Sequence, residues 1–357
     1  MDYNTQRPLT KEEFNLMGGP ALMQQQMEVD RLNAVNAALI ETDYGRLGKI
    51  GADEVRKAAD TLKKYKAGKA SLENRIIKNE EFWKLRHWKT VIRAGEEKKD
   101  TDNKPDPASA WLFSTLTNKH ADAMDNYPEP NVLAREESDK ADAKVLSEIL
   151  PVILDYSNFP RTYSRNWWPK IKSGTGVYSI LWDQNKNYGK GDIAINRCDL
   201  LNMYWEPGID DIQKSKNLFQ VELRDNDLLI QEYPFLKETL GNSTFEVSKY
   251  IYDDTVDTSE KSCVVSWYYK VKQEGKDILH YVQFVNENVL YASENDPRYA
   301  QRGFYDHGKY PFVFDVLFPE EGTPAGYGYI DIFKSTQLYI DKIDENILET
   351  SIAAAKK

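Results

Sequence analysis

"NWWPKIKSGTGVYSILWD" (Asn166–Asp183) decides the architecture, because the period of the chain changes inside it. Before Gly174 the apolar residues Phe159, Tyr163, Trp167 and Ile171 return every four positions, the spacing of a helix, which Pro169 is expected to kink. After it, Val177, Ser179 and Leu181 alternate with Tyr178, Ile180 and Trp182, the two-residue period of a strand. The chain therefore changes from helical to extended at one glycine joint.

Working outward to the N-terminus, every periodic segment is helical. Residues 137–156 form the cleanest amphipathic pattern, through Ala141, Val145, Ile149, Ile153 and Tyr156. Ser109 to about Asn126 is a helix stopped by "YPEP" at 127–130, and the charged, proline-containing stretch 96–107 is an exposed loop. A helix from about Asp53 aligns Val55, Ala58, Ala59, Leu62 and Tyr65; Gly68 is expected to interrupt it, and Leu72, Ile76 and Trp83 resume the pattern. A further helix spans Gln24–Glu41, between a Gly18-Gly19-Pro20 break and the loosening glycines 45, 48 and 51.

Toward the C-terminus the segments are extended. "KNYGKGD" (186–192) is a glycine hairpin turn and "IAINR" the returning strand. "MYWEPG" ends in a Pro207–Gly208 turn, a short helix lies near 225–240, and strands follow at 262–271, 278–285 and 310–318. The last residues, "YIDIFKSTQLYIDKIDENILETSIAAAKK" (329–357), form one long helix. The expected fold class is α+β: a helical N-terminal part, a largely antiparallel sheet, and a long terminal helix.

A chain of 357 residues with 22 Tyr, 13 Phe and 8 Trp has the material for a large core and should be soluble and globular. No apolar run approaches the roughly 18 residues that cross a bilayer, and "MDYNTQRPLTKEEF" lacks the apolar centre of a signal peptide, so a cytosolic product outside the membrane is expected. Cys198 and Cys263, each in an expected strand, read as packed reduced thiols. The net charge of −10 is uneven: Glu54–Lys104 carries 15 Lys/Arg against 9 Asp/Glu. A solvated helix face explains such a stretch, and contact with a negatively charged partner is the alternative. An acidic chain should not grip DNA non-specifically, since that affinity comes from neutralising phosphates.

Catalytic patterns are missing. His87, His120, His280 and His307 have no metal-ligand spacing, and no nucleophile elbow, Walker A or dinucleotide fingerprint occurs, so no cofactor or metal is expected. "GTG" (174–176) and "GYG" (326–328) are too short for phosphate loops and read as backbone joints. The acidic pairs Asp210–Asp211 and Asp253–Asp254 suit turns and helix starts better than a two-metal site. In "NEEFWKLRHWK" (79–89), Trp83 and Trp88 offer base stacking beside Lys84, Arg86 and Lys89, yet Phe82, Trp83 and Leu85 equally suit a buried helix face.

Four stretches in this order resemble the portal proteins of tailed bacteriophages: "NRIIKNEEFWKLRHW" (74–88); "ASAWLFSTLTNKHADAMDNYPEPNVLARE" (108–136) followed by "DKADAKVLSEIL"; Asn166 to Gln213, a helix, a glycine joint, a strand pair and a Pro-Gly turn with acids; and "YPFVFDVLFPEEGTPAGYGYIDIFKSTQLYID" (310–341). Family members show a Tyr-Pro, a Gly-x-Gly, then a helix with Gln and a polar partner four residues on; here these are Gln337 and Asp341, where Asn is commoner.

The resemblance implies a structural machine rather than an enzyme. Its expected form is a homo-oligomeric ring, usually of twelve subunits, at one capsid vertex of the virion, assembled in the host cytoplasm. Double-stranded DNA passes through without sequence-specific binding, and the terminase large subunit, a head–tail adaptor, and the major capsid and scaffold proteins are the implied partners. Residues 1–53 would be an N-terminal arm, 54–325 the wing (helices in 54–172, mainly β in 173–325), and 326–357 the start of the stem helix. The family's clip, returning stem helix and crown are missing, so a fragment, or only the ordered part, of a longer product is expected.

The terminal helix suits a channel wall. Phe333, Ile340 and Ile347 lie seven apart with Ile343 between them, an apolar seam for a neighbouring subunit. Between Ile330 and Ile352 five acids (Asp331, Asp341, Asp344, Glu345, Glu349) outnumber Lys334 and Lys342, which would keep DNA moving. Gly174, Gly176, Gly326 and Gly328 are the expected hinges, and Lys63, Lys64 and Lys66 would face scaffold or capsid protein. The readings from other classes are a metal-dependent nuclease using the acidic clusters, and another capsid-associated or scaffold protein.

Overall fold

The computed structural model describes residues 49–89, 105–240, 260–273 and 275–355. The helix expected at 24–41, most of the 96–107 loop and Asp253–Asp254 lie outside these residues.

The first helix, α1 (Ala52–Trp83), opens on Gly51, whose N–H donates to the Glu54 carboxylate three residues on, a bond that satisfies one of the free donors at a helix start. It does not break at Gly68. An added Cβ there would come within 2.9 Å of the Pro207 ring, so the glycine lets the Pro-Gly turn lie against an unbroken helix. At about 1.5 Å per residue its 32 residues span roughly 48 Å.

Next come α2 (Trp111–Asp125), α3 (Lys140–Tyr156) and α4 (Phe159–Ser173), which runs unbroken through Pro169. Gly174 ends α4 in the left-handed conformation (φ +93°), which glycine adopts without a Cβ penalty.

Strand β1 (Thr175–Asp183) pairs antiparallel with β2 (Asp192–Cys198), with Val177 opposite Cys198 and Asp183 opposite Asp192. Beyond β3 (Met203–Trp205) comes β4 (Asn217–Asp225), whose regular alternation escaped the sequence reading, then α5 (Asn226–Glu232), inside the expected 225–240 helix. Strands β5 (Lys261–Gln273) and β6 (Lys276–Val285) are the aromatic strands foreseen, and β7 (Asn288–Ala292) is new. The expected strand 310–318 resolves into β8 (Phe312–Val316) and β9 (Phe318–Pro319); β9 pairs with β10 (Gly326–Tyr327), which leads into α6 (Tyr329–Ala355). The sheets are β2-β1-β8 and the antiparallel meander β3-β4-β5-β6-β7. The fold is therefore α+β, as read from the sequence.

Side-chain alternation gives the meander two different faces. Tyr204, Phe219, Val221, Val265, Tyr269, Val282 and Phe284 meet Val55, Ala58 and Leu62 of α1. On the other face Met203, Leu218, Tyr268 and Leu279 meet Val177 and Phe312 of the three-stranded sheet, with Ile76. At the far end of α1, Phe82 joins Leu112 and Leu116 (α2), Ile171 (α4) and Ile330 (α6). One helix thus runs past three clusters. Midway, the buried Lys69 ammonium donates to the carbonyls of Leu200 (2.5 Å), Leu201 (3.2 Å) and Met203 (2.7 Å). Burial pulls its pKa down to about 8, against the carboxylates of Glu73 and Asp199, which favour the charged form.

Candidate functional site

The site is built on α6, whose amphipathicity is inverted. The side toward the body carries Ile330, then Gln337, Asp341 and Glu345, all buried. At 100° per residue, Ile332, Tyr339, Ile343 and Ile347 lie on the opposite side, and all four are exposed (Ile343 58%, Ile347 57%). Of the expected seam, Phe333, Ile343 and Ile347 are exposed and Ile340 is half-buried.

The buried polar side chains work on α2. No side chain of its own N-terminal segment caps that helix. Instead the Asp341 Oδ1 accepts from the Ser109 N–H (2.8 Å) and hydroxyl (2.5 Å), and the Gln337 Oε1 accepts from the Leu112 N–H (3.2 Å). The Gln337 amide donates to the Ser109 carbonyl (2.7 Å) and to both Asp341 oxygens (3.0 Å each). A carboxylate at a helix N-terminus also meets the positive end of the helix dipole. Two residues four apart on α6 therefore cap α2 from a distance, which the polar pair of the sequence motif did not reveal.

His87 completes the network. Its ring is fully buried, stacks on Phe82 at 4.7 Å, and places Nε2 3.0 Å from the Asp341 Oδ2. Burial lowers its pKa, and the neighbouring Asp341 only partly offsets that, so the ring is held neutral with Nε2–H donating. Serine, aspartate and histidine do meet here, but the serine bonds the aspartate and not the imidazole. The arrangement cannot make a nucleophile in the manner of a Ser-His-Asp triad.

The surface charge of α6 is smaller than its sequence charge. Asp341 and Glu345 are withdrawn into the interior, while Asp331, Asp344 and Glu349 stay half-exposed with Lys334 and Lys342. Asp331 accepts from the Gly328 N–H (3.0 Å) and pairs with Lys334 (3.0 Å) at the helix start.

Of the four glycines, Gly176 packs on Asn166 and Gly326 on the Phe318 carbonyl, while Gly174 and Gly328 lie where the end of α4 crosses the root of α6. A Cβ at Gly174 would fall 2.3 Å from the Tyr327 backbone, and one at Gly328 would fall 2.7 Å from the Ile171 carbonyl. The Gly326 N–H donates to the Thr175 hydroxyl at 2.9 Å, one residue from Gly176. Gly174 and Gly328 thus allow a tight crossing of two backbones.

The remaining candidates have structural partners. Asp210 accepts from the Gly322 N–H (2.8 Å) and Asp211 from the Gln213 N–H (2.9 Å). Trp88 is buried and donates to the Pro107 carbonyl (2.7 Å); Trp83 stacks on Phe113 at 4.7 Å, and Lys84 lies 3.9 Å from Glu80. His120 stacks on Trp168, His280 sits by the Ser293 hydroxyl (3.1 Å), and His307 accepts from the Lys309 N–H (3.0 Å). Cys198 and Cys263 are buried thiols that form no disulfide with each other. Among the described residues no group of three or more His, Cys, Asp or Glu is placed to hold a metal ion, and no helix is long and apolar enough to cross a membrane.

The α+β body thus turns an apolar helix face to solvent and buries the polar groups of that helix in caps. Residues 121–309 match the family of Phage P22-like portal proteins, and the chain belongs to that family. The family implies a structural role at the capsid vertex of a phage, in an oligomeric ring. The match covers α3, α4 and strands β1 to β7, and stops before β8 and α6. No curated protein matches the chain.

Proposed function

We propose that this chain is the subunit of a portal ring through which double-stranded DNA is packaged, retained and ejected. In this reading residues 54–325 are the wing and α6 begins the stem that surrounds the channel. The observation that carries it is the inverted face of α6: Ile332, Tyr339, Ile343 and Ile347 stand exposed where an isolated subunit would bury them. Such a stripe on a 27-residue helix fits a neighbouring helix in a ring, at the heptad-like spacing of packed helices. Asp344 and Glu349 would then repel phosphates from the wall. Terminase, head–tail adaptor, capsid and scaffold proteins are the partners this role requires.

Electron microscopy of the full-length gene product tests the reading. Rings with a central channel are expected. Monomers at micromolar concentration, together with metal-dependent DNA cleavage, would refute it in favour of a nuclease.

A further inference from the structure

A second helix is also turned inside out. Among its residues α3 buries only Ala143, and rests on the body through that side, with Ser147 bonded to Val132 N–H (2.9 Å). The apolar stripe Ala141, Val145, Ile149, Val152 and Tyr156 points away, with Val145 51% and Tyr156 80% exposed. Helical geometry places Glu148 and Asp155 along one flank of this stripe and Asp142 along the other. Residues 136–156 hold six acids against Lys140 and Lys144, all exposed.

The complementary surface is on α1. Its outward side has a strip of small or short residues (Ala67, Ser71, Asn74), bordered by Lys63 and Lys64 and closed by Lys57 and Lys78, with Asp60 the one acid on it, 3.7 Å from Lys63. Lysine stems cover apolar surface while their ammonium groups reach acids at the rim. From Lys57 to Lys78 this strip is about 32 Å long, against about 25 Å for the 17 residues of α3.

We propose that the outward face of α3 seats on this basic strip of α1 in the next copy of the chain. The proposal rests on the ring reading and adds a contact to it. The two faces differ, so the contact is head-to-tail, the kind that closes into a ring when the rotation allows. An anionic membrane is a poor occupant, because a helix that lies on one carries a basic polar face, not an acidic one. One side of α3 offers only about 400 Å² by helix dimensions, half of the roughly 800 Å² per partner of a stable interface. It must act together with α6.

The test places a photo-crosslinking residue at Ile149 in the full-length protein and assembles a mixture of isotope-labelled and unlabelled copies. Crosslinks from one copy to the peptide spanning Lys63–Lys78 of another are expected. The double variant Lys63→Glu/Lys64→Glu should lower ring yield at least tenfold, with restoration by Asp142→Lys/Glu148→Lys and an unchanged circular dichroism spectrum throughout. Rings whose crosslinks land elsewhere, or fall within one copy, overturn this contact and leave the portal reading standing. Rings that form normally from the charge-reversed chain but fail to build heads give the strip to capsid or scaffold protein, which also overturns it. A wild-type chain that forms no ring removes the portal reading itself.

Discussion

Replacing Asp341 with alanine removes the acceptor at the centre of the α2–α6 network. The Ser109 N–H and the His87 Nε2–H each lose a carboxylate oxygen, at 2.8 and 3.0 Å. A buried donor left without its acceptor costs about 1–3 kcal/mol, and the hydroxyl of Ser109 can rotate to a new partner. Two such donors, plus the small void, make a loss of about 3–5 kcal/mol. Asp341→Asn should cost less, about 1–2 kcal/mol, because its Oδ1 keeps the Ser109 bonds and the Gln337 amide, losing Oδ2, keeps Oδ1 and the Ser109 carbonyl. The new amide can then donate to His87 once the neutral imidazole moves its proton to Nδ1. Urea unfolding of the unassembled subunit, followed by the fluorescence of Trp88 beside Pro107, reads both values. A loss below 1 kcal/mol for the alanine variant, or equal losses for both, would show that Asp341 does not hold this junction.

Three further outcomes follow from the geometry. The His87 pKa lies below its ordinary 6.5 in the folded chain, so the unfolded chain takes up that proton first; stability present above pH 6.5 should fall as pH drops below it toward the folded value, and His87→Gln should flatten that slope in urea titrations. Ile343→Asp with Ile347→Asp should leave the melting of the isolated subunit unchanged, since both side chains are exposed, while sedimentation shows rings lost; each isoleucine contributes about 1 kcal/mol or more when its open half is covered. Lys69→Met strips the donor from three buried carbonyls and should cost about 2–4 kcal/mol in urea unfolding; a change under 1 kcal/mol would show those carbonyls find other partners.

What the sequence disclosed depended on how local each signal was. The switch from helix to strand at Gly174 was plain, because both periods and the glycine that joins them lie within eighteen residues. Strand β4 was equally local, with Phe219, Val221 and Leu223 alternating against Gln220, Glu222 and Arg224, and was simply passed over. Gly68 misled because glycine lowers helix propensity by only about 1 kcal/mol, which tertiary packing against Pro207 overrides. In α3 the apolar stripe was real but its direction was not legible: periodicity shows that a face is to be covered, not which surface covers it. Gln337 and Asp341 were visible as a pair on one helix. Their work on Ser109, 228 and 232 residues away, exists only in three dimensions.

The anchoring of α6 is confined to its first half. Ile330, Gln337, Asp341 and Glu345 fix it to the body, whereas residues 346–355 are exposed apart from the half-buried Glu349. Mechanically the first half is clamped, at the glycine crossing and the α2 caps, and roughly the next 15 Å of helix is held less. A sideways load on residues 346–355 is resisted mainly by helix stiffness. The same load at the root is shared by α1, α2 and α4, so the second half of α6 can bend while the body keeps its shape.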